Sequence, residues 1–537
     1  MIPGDRLTLS WVGKDKALIR TPEDGYDWVN REDPRVTEIR LLHDVQFVGE
    51  SPIDRTLENL LILGDSYDAA RALTRIPEFG RQYRGKVKLV YIDPPFNTGQ
   101  AFNAYSDALQ HSVWLTMMRD RLRVLHDLLE PTGTIWVHLD STEVHRCRCL
   151  MDDQFGPDNY VATVVWQRTS AKSLARRTLG AMHEQILVYG ASAEAKLNPQ
   201  FVPLDEDYRR RRFSRSDARG VYDTGDLTAG DYRPHIDSGK PWHEIDPSAK
   251  RRCWAVPRSV LAEIGLSPEV IKAMSMREKL DALDAAGYIV HPDKPGGFPR
   301  YKKYLDRAKG RAVGDLWTDI NVINSQAAER TGFSTQKPEA LLRRILDLGT
   351  RPGDIVVDCF AGSGTTAAVA HKMGRRWVAV ESVPTVVDTY ALPRLSRVVS
   401  GLDRGGISEA VDWRGGGGFR TLQVADSILE QRDGLFLLSE RATNGEFAMA
   451  VCPQIGFTVV PDPPFVGRKG RQRLAVLDGV ADEEAMRAVV SRLGDGELAV
   501  VVAKAATHGA EAALTRLSPG SRLWHAPGDI LNWAGSR

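Results

Sequence analysis

Two hydrophobic rhythms alternate through much of the chain. Between residues 56 and about 195, short apolar or β-branched runs (LLILG, VKLVYID, GTIWVHLD, ATVVW, QILVYG) are separated by stretches of helical spacing such as WLTMMRDRLRVLHDLL. Short apolar runs bounded by turn residues read as buried strands, and longer stretches with a 3.6-residue period read as amphipathic helices; their alternation predicts an α/β sheet. From about residue 196 to 330 the rhythm is lost, and Arg, Lys, Tyr and Trp increase. It resumes from 331 to about 425 with the helix PEALLRRILDLG, the strand DIVVDCF, the loop AGSGTT, another helix and the strand RWVAVE. The expected fold is a doubly wound, mostly parallel sheet with helices on both faces, its strands drawn from both sides of an inserted domain.

The two ends read differently. Residues 1 to about 55 are polar and irregular and predict an N-terminal arm. Residues 430–537 contain short strands (LFLLS, LAVLDG, ELAVVVAKA) and the helix EEAMRAVVSRL, which predict a small α/β module carrying no recognisable chemistry.

Composition narrows the function classes. A chain of 537 residues calls for two or three cores, and 42% hydrophobic with 26% charged residues excludes a largely disordered protein. The net charge of +1 excludes a wholesale polycation but leaves room for one basic face on a nucleic-acid enzyme. Five cysteines, without a paired C-x-x-C, predict free thiols in a reducing compartment and no metal site. The first twenty residues lack the apolar core of a signal peptide and no apolar run reaches membrane-span length, so a cytoplasmic protein is expected.

The first chemical signal is Asp93-Pro94-Pro95-Phe96 after the strand VKLVYI, at the strand end where open α/β sheets bind ligands. Two prolines remove two amide donors, leaving the Asp93 carboxylate and the Pro94 carbonyl as acceptors for an exocyclic amine. Such an amine reacts as a nucleophile only when its lone pair is localised by holding its protons. Phe96 offers a face on which an extruded base can stack. A bare D-P-P-F also fits a helix-initiating loop; the continuation Asn97-Thr98-Gly99 favours the chemical reading.

The second signal is Asp358-Cys359-Phe360-Ala361-Gly362-Ser363-Gly364-Thr365-Thr366 after the strand DIVV. Glycines 362 and 364 allow close backbone approach to a ligand, and a helix starting near Thr365 presents amide donors. Glu381, ending the next strand, stands where such folds place an acid against ribose hydroxyls. Alone, this loop would also suit a nicotinamide enzyme, but it lacks the third glycine and the spacing of the full dinucleotide fingerprint.

In this order, catalytic loop before glycine loop, the two signals resemble the β-class amino-methyltransferases of DNA, and most closely the modification subunits of type III restriction systems. The resemblance runs from about residue 11 to 423 through WVGKDK, NLLILGDSYDAARAL, YIDPPFNTG, HSVWLTMMRDRL, GTIWVHLDSTEVH, GYIVHPDKPGGFPRYKKYL, STQKPEALLRRIL and GGGFR. It implies N6 methylation of a flipped adenine in duplex DNA, with S-adenosyl-L-methionine as donor. It places the target amine at Asp93 and Pro94, beside Pro95, with Phe96 on the base. Asp358, Phe360, Ala361, Gly362, Gly364 and Thr365 would line the cofactor, Glu381 its ribose and Asp65 its adenine. Thr335, Gln336 and Lys337 match the motif that closes over its methionine end. Cys359 and Glu381 replace the usual proline and aspartate, and neither removes a needed group.

Several residues also have plainer readings. Asp65 could simply cap a helix, and Lys337 could be a solvated charge. His138, His145 and His183 have no ligand-like spacing, and attack on a sulfonium methyl needs no strong base, so no histidine is nominated. Arg209, Arg210, Arg211 and Arg212, with Tyr208, Phe213 and Tyr232 nearby, fit phosphate contact within an inserted target-recognition domain. The resemblance implies double-stranded DNA, a restriction helicase-nuclease subunit and a second copy of the chain as partners. Two alternatives stay open: an N4-cytosine methyltransferase, and a non-catalytic recognition subunit of a restriction complex. The chain has no G-x-x-x-x-G-K-[ST] loop, so cutting or ATP-driven translocation would fall to a partner.

Overall fold

The computed structural model describes residues 8–21, 25–98, 109–169, 179–230, 236–294, 297–432, 435–439 and 446–530; Gly99 and Tyr232 lie outside them. The chain divides into two compact units, one of residues 1–198 and 314–537 and one of residues 199–313.

The larger unit is built on a ten-stranded sheet. In chain order its strands are β1 (Leu42–Gly49), β2 (Asn59–Leu63), β3 (Val87–Ile92), β4 (Leu129–Leu139), β5 (Tyr160–Gln167), β6 (His183–Gly190), β7 (Leu316–Trp317), β8 (Ile355–Asp358), β9 (Arg376–Glu381) and β10 (Gly418–Val424). Their spatial order is β7-β5-β6-β4-β3-β8-β9-β2-β10-β1. Pairing is parallel except for β5 with β6, β6 with β4, and β10 with β1.

The strands are apolar on both faces because both faces are covered. Val90, Ile92, Ile135, Val137, Val357, Val378 and Val380 share a core with the helices α1 (Ser66–Arg75), α2 (His111–Leu128) and α3 (Val144–Phe155). The alternate strand positions turn to the other face, where α4 (Glu339–Gly349), α5 (Thr365–Lys372) and α6 (Leu392–Val399) lie. Gly349 of α4 sits so close to Leu89 of β3 that a Cβ there would come within 2.5 Å of the leucine.

From β3 the chain proceeds through α2 to β4 on one side, and from β8 through α5 to β9 on the other. The sheet therefore reverses its winding between β3 and β8, opening a crevice at their carboxyl ends. Asp93 follows β3 and Asp358 ends β8, so the reversal brings both motifs to one place.

The N-terminal region is not an irregular arm. Lys16–Arg20 and Tyr26–Asn30 form an antiparallel pair against α2, anchored by Trp11 Nε1 on Thr116 Oγ1 at 2.8 Å and by Arg119 Nη2 on the Lys16 carbonyl at 2.7 Å. β1 closes one edge of the sheet. It is largely exposed, as edge strands are, and its four apolar residues Leu42, Val45, Phe47 and Val48 do not alternate regularly, so its hydrophobic pattern gave no signal.

The insertion is also shorter than its compositional bounds, because Leu316–Trp317 already pairs with β5. By itself, the unit of residues 199–313 has a four-stranded antiparallel sheet and a core of Trp242, Trp254, Leu261, Leu280, Tyr288 and Tyr304. Its helix Met276–Ala285 starts with a capping box between Ser275 and Glu278.

The C-terminal residues form a five-stranded sheet whose last three strands are parallel. This module is joined to the large sheet through the N-terminal segment. Glu38 accepts from Ser427 Oγ at 2.6 Å and Ile428 N at 2.8 Å, and Gln454 Nε2 donates to the Ile39 carbonyl at 3.0 Å. Among the described residues no helix is long and apolar enough to cross a membrane, no group of His, Cys, Asp or Glu is arranged to hold a metal, and all five cysteines are free thiols.

Candidate active site

A cavity of about 340 Å³ opens where β3 and β8 end. Twelve residues singled out from the sequence line it: Asp65, Asp93, Pro95, Thr335, Gln336, Lys337, Asp358, Phe360, Ala361, Gly362, Thr365 and Glu381. Its volume falls in the range of small-molecule sites.

On the β3 side the loop is held from behind. Trp114 Nε1 donates to the Pro95 carbonyl at 2.7 Å. Asn97 adopts a left-handed backbone, φ +62°, donates to the fully buried Glu143 at 2.7 Å and accepts from Leu109 N at 2.7 Å. Asp93 contacts Lys337, 244 positions away, whose Nζ lies 2.6 Å from Oδ2. The other oxygen, Oδ1, is buried without a hydrogen-bond partner among the described groups. Leaving a buried acceptor unpaired costs about 1–3 kcal/mol, so an unpaired one in a ligand cavity marks where a donor belongs.

Lys337 is therefore not a solvated charge. Its ammonium also lies 3.9 Å from Glu184 Oε2 and 5.0 Å from the centre of the Phe96 ring. Burial opposes its charge, but Asp93 and Glu184 more than offset this and hold it above the usual lysine value. Burial alone would likewise raise the Glu184 carboxyl; Lys337, His138 and Arg168 hold it well below the usual carboxylate range.

His138, fully buried, receives or donates a 2.8 Å hydrogen bond at Nδ1 with the Tyr91 hydroxyl. Its Nε2 is 2.9 Å from Glu184 Oε2 but out of hydrogen-bond alignment. Its ring centre lies 6.1 Å from that of Phe96. His138 does not line the cavity but stands behind it, beside Glu184 and Phe96. Glu184, Tyr91, Phe333 and Arg121 were overlooked, and nothing in their local spacing could have singled them out.

On the β8 side the loop's own donors hold two carboxylates. Gly362 has φ +52°, in the left-handed region that favours glycine, and a Cβ there would meet Phe333 at 3.0 Å. Its amide donates to Glu381 Oε2 at 2.9 Å while Val383 N donates to Oε1 at 3.0 Å. Burial raises the Glu381 carboxyl despite these two bonds. Asp358 accepts from Phe360 N at 3.0 Å and Thr366 Oγ1 at 2.6 Å, and burial pushes its pKa up to about 7.

Gly364 differs from the expectation of close ligand approach. It does not line the cavity, and a Cβ there would face Ala391 and Leu395 at 3.6 Å; its φ of +74° makes it the left-handed residue before α5. Gln336 braces the loop: its Oε1 accepts from Thr331 N and Oγ1 at 2.8 Å and its Nε2 donates to the Glu329 carbonyl at 2.7 Å. Asp65 carries both of its readings. It caps α1 through Tyr67 N at 2.7 Å, and it lines the cavity with Arg121 Nη2 2.7 Å from Oδ2.

Pro94 and Phe96 stand beside the cavity wall, where Phe96 packs on the sheet core.

The DNA methylase family profile matches residues 87–391, from β3 through the end of the site. The chain belongs to the DNA methylase family. Among curated relatives, the probable type III restriction-modification enzyme HindVI Mod subunit of Haemophilus influenzae is 31% identical over 429 residues, covering 68% of this chain and 54% of the relative. The type II methyltransferase M.EcaI of Enterobacter cloacae is 28% identical over 354 residues, covering 64% of this chain and 72% of its own. This DNA methylase spans about half the length of the first of these. A Thermus thermophilus DNA modification methylase solved with S-adenosyl-L-methionine aligns with 63% of this chain and 95% of its own at 16% identity and a TM-score of 0.30.

In the unit of residues 199–313 of this DNA methylase, Arg209, Arg210, Arg211 and Arg212 occupy the helix Glu206–Arg212. Successive helical residues turn by about 100°, so four in a row point around the helix rather than along one face. Arg210 pairs with Glu206 at 3.5 Å and Arg212 with Asp223 at 3.2 Å, whereas Arg209 lines a cleft of about 630 Å³ with Phe201, Arg219 and Lys309.

Proposed function

We propose that this DNA methylase transfers a methyl group from S-adenosyl-L-methionine to N6 of an adenine turned out of duplex DNA at a specific site. The observation that carries the reading is Oδ1 of Asp93, a buried acceptor without a partner in the cavity shared with the glycine loop. The cavity suits the cofactor: Gly362, in a left-handed backbone and close to Phe333, keeps the loop bare, Glu381 can accept from ribose hydroxyls with its remaining lone pairs, and Asp65 lines the same cavity. When bound, the cofactor supplies the sulfonium methyl. Asp93 accepts a hydrogen bond from the target amine, localises the nitrogen lone pair and stabilises the positive charge that develops there. Phe96 and Pro95 shape the base pocket, and exclusion of water strengthens each of these interactions.

On this reading the unit of residues 199–313 recognises the target sequence, with Arg209 of the arginine run as its main phosphate contact. The Mod-subunit relatives support a modification role in a restriction-modification or phage-defence system; the proposal adds a helicase-nuclease subunit and a second copy of the chain as partners and a cytoplasmic location. The test is transfer of labelled methyl groups by the full chain to duplex DNA, followed by nucleoside mass spectrometry. N6-methyladenine is expected. N4-methylcytosine would reverse the base assignment, and cofactor binding without transfer would make the protein a recognition subunit.

A further inference from the structure

The motif at residues 335–337 is expected from the resemblance to close over the methionine end of the cofactor. The geometry points to a different role for its lysine. We propose that Lys337 is a positioning residue for the target amine: its ammonium anchors Oδ2 of Asp93 so that Oδ1 is left to accept from the base. The inference rests on the methyl-transfer reading given above.

A carboxylate on a single-bond stem can rotate, and a rotated Asp93 would present its acceptor at the wrong angle. Anchoring one oxygen fixes the other, and the pattern here is one-sided in that way: Lys337 Nζ is 2.6 Å from Oδ2, and Oδ1 is buried and without a partner. The anchor is itself immobilised. Gln336 is held by Thr331 and Glu329, and the chain after Lys337 enters α4 through Pro338. The first residue of α4, Glu339, is fully buried and bound by Lys372 at 2.8 Å and Arg394 at 2.8 Å. A lysine whose backbone is pinned on both sides can hold a partner within the tolerance that chemistry requires.

A bare ammonium beside an amine that is acquiring positive charge would oppose the reaction. Glu184 weakens this objection. Its Oε2 lies 3.9 Å from the ammonium and its Oε1 2.9 Å from the Arg168 guanidinium, whose charge is mostly solvent-exposed and screened, so Glu184 offsets part of the lysine's charge and the Asp93 carboxylate stays the nearest charge to the amine. The ammonium also rests over the Phe96 ring, which ties the carboxylate's orientation to the residue that packs on the base.

The experiment compares wild type with K337M, K337Q, K337R and E184Q, using S-adenosylmethionine as the calorimetric probe and steady-state methyl transfer as the second readout. For K337M, kcat should fall by roughly a hundredfold, as expected when a reacting group is misplaced by about an ångström, with cofactor affinity and KM for the cofactor changed less than about threefold. K337R, which keeps the charge, should recover part of kcat; K337Q, which keeps only a donor, should recover less; E184Q should lower kcat by a smaller factor, again without moving the cofactor KM.

A large loss of cofactor affinity in K337M with kcat retained would overturn the proposal and return Lys337 to the cofactor. Equal activity of K337M and wild type would overturn it as well. If wild type itself transfers no methyl group to any base, the methyl-transfer reading falls and the assignment of Lys337 falls with it; with an active wild type, the variants test the lysine alone. Thermal midpoints identify a misfolded variant, in which case the Arg and Gln variants carry the comparison.

Discussion

The loops after β3 and β8 leave neighbouring parallel strands and face one cavity, yet they are built from opposite materials. The loop at 93–97 uses two prolines, which remove amide donors, and exposes a side-chain acceptor. The loop at 358–366 uses glycines, which bare the backbone, and spends its amides on Glu381 and its own Asp358. One edge of the crevice is thus a proline-stiffened loop presenting the Asp93 carboxylate, and the other a glycine backbone whose amides hold the carboxylates of Glu381 and Asp358 in place. An amine-bearing base and a cofactor carrying hydroxyls and a carboxylate need different edges, and the same strand geometry provides both because the loop composition differs.

The largest expected effect breaks the acceptor edge. Asp93→Ala should lower kcat by at least about a thousandfold, the scale seen when a transition-state electrostatic partner is removed, with cofactor affinity by calorimetry within about twofold of wild type. Normal turnover would refute the division of labour between the loops. Gly362→Val should do the reverse: its Cβ meets Phe333 at 3.0 Å and its φ of +52° strains any branched residue. Cofactor affinity should fall by roughly a hundredfold, since even about 2.7 kcal/mol of strain and lost contact suffices, while DNA binding measured by anisotropy persists.

A smaller effect is expected away from both loops. Arg209→Gln should weaken binding to all DNA sequences several-fold and reduce the log-log salt slope by about 0.9, the value for one phosphate contact. Arg210→Gln should do less, because Arg210 is already engaged with Glu206 and Asp207. Equal effects would mean that the helix approaches DNA differently from the cleft that Arg209 lines.

The smallest effect is a pH dependence confined to the glycine-loop edge. Burial raises Asp358 to about 7 from its ordinary 3.8. A carboxyl raised on folding stabilises the protein in its neutral form. That contribution is complete below about pH 4 and is lost as pH rises through about 7. The thermal midpoint of the cofactor-free protein should carry this decline, and Asp358→Asn should flatten it by a degree or two measured in a pH series. An unchanged profile would show that Thr366 and Phe360 keep Asp358 ionised.

The contrast between the loops also separates what could be read from the sequence from what could not. Proline and glycine act on their own backbone, so DPPF and AGSG were legible as loops of opposite backbone character, one stiffened and one bared. The strand–helix rhythm likewise placed both at strand ends. The partners of those loops were not legible, because they arrive through the fold: Lys337 reaches Asp93 across 244 positions, and Glu184 and His138 come from β6 and β4 with no local signature. β1 escaped notice for a different reason, since the apolar residues of this largely exposed edge strand follow no regular alternation. Gly364 shows the limit of motif reading in the other direction: it is a glycine for its turn and not for the ligand.

The pairing of β3 with β8 has a consequence for how the protein comes into being. Residue 93 leaves the ribosome long before residue 358, and the whole inserted unit is made in between. At translation rates of about 5–20 residues per second, the catalytic edge waits on the order of half a minute for the strand that completes its crevice. During that interval β3 offers an unpaired, almost wholly apolar edge, and Asp93 has no lysine. A nascent chain halted anywhere in the insertion therefore lacks β8, the glycine loop and Lys337, and on the reading proposed above cannot transfer a methyl group.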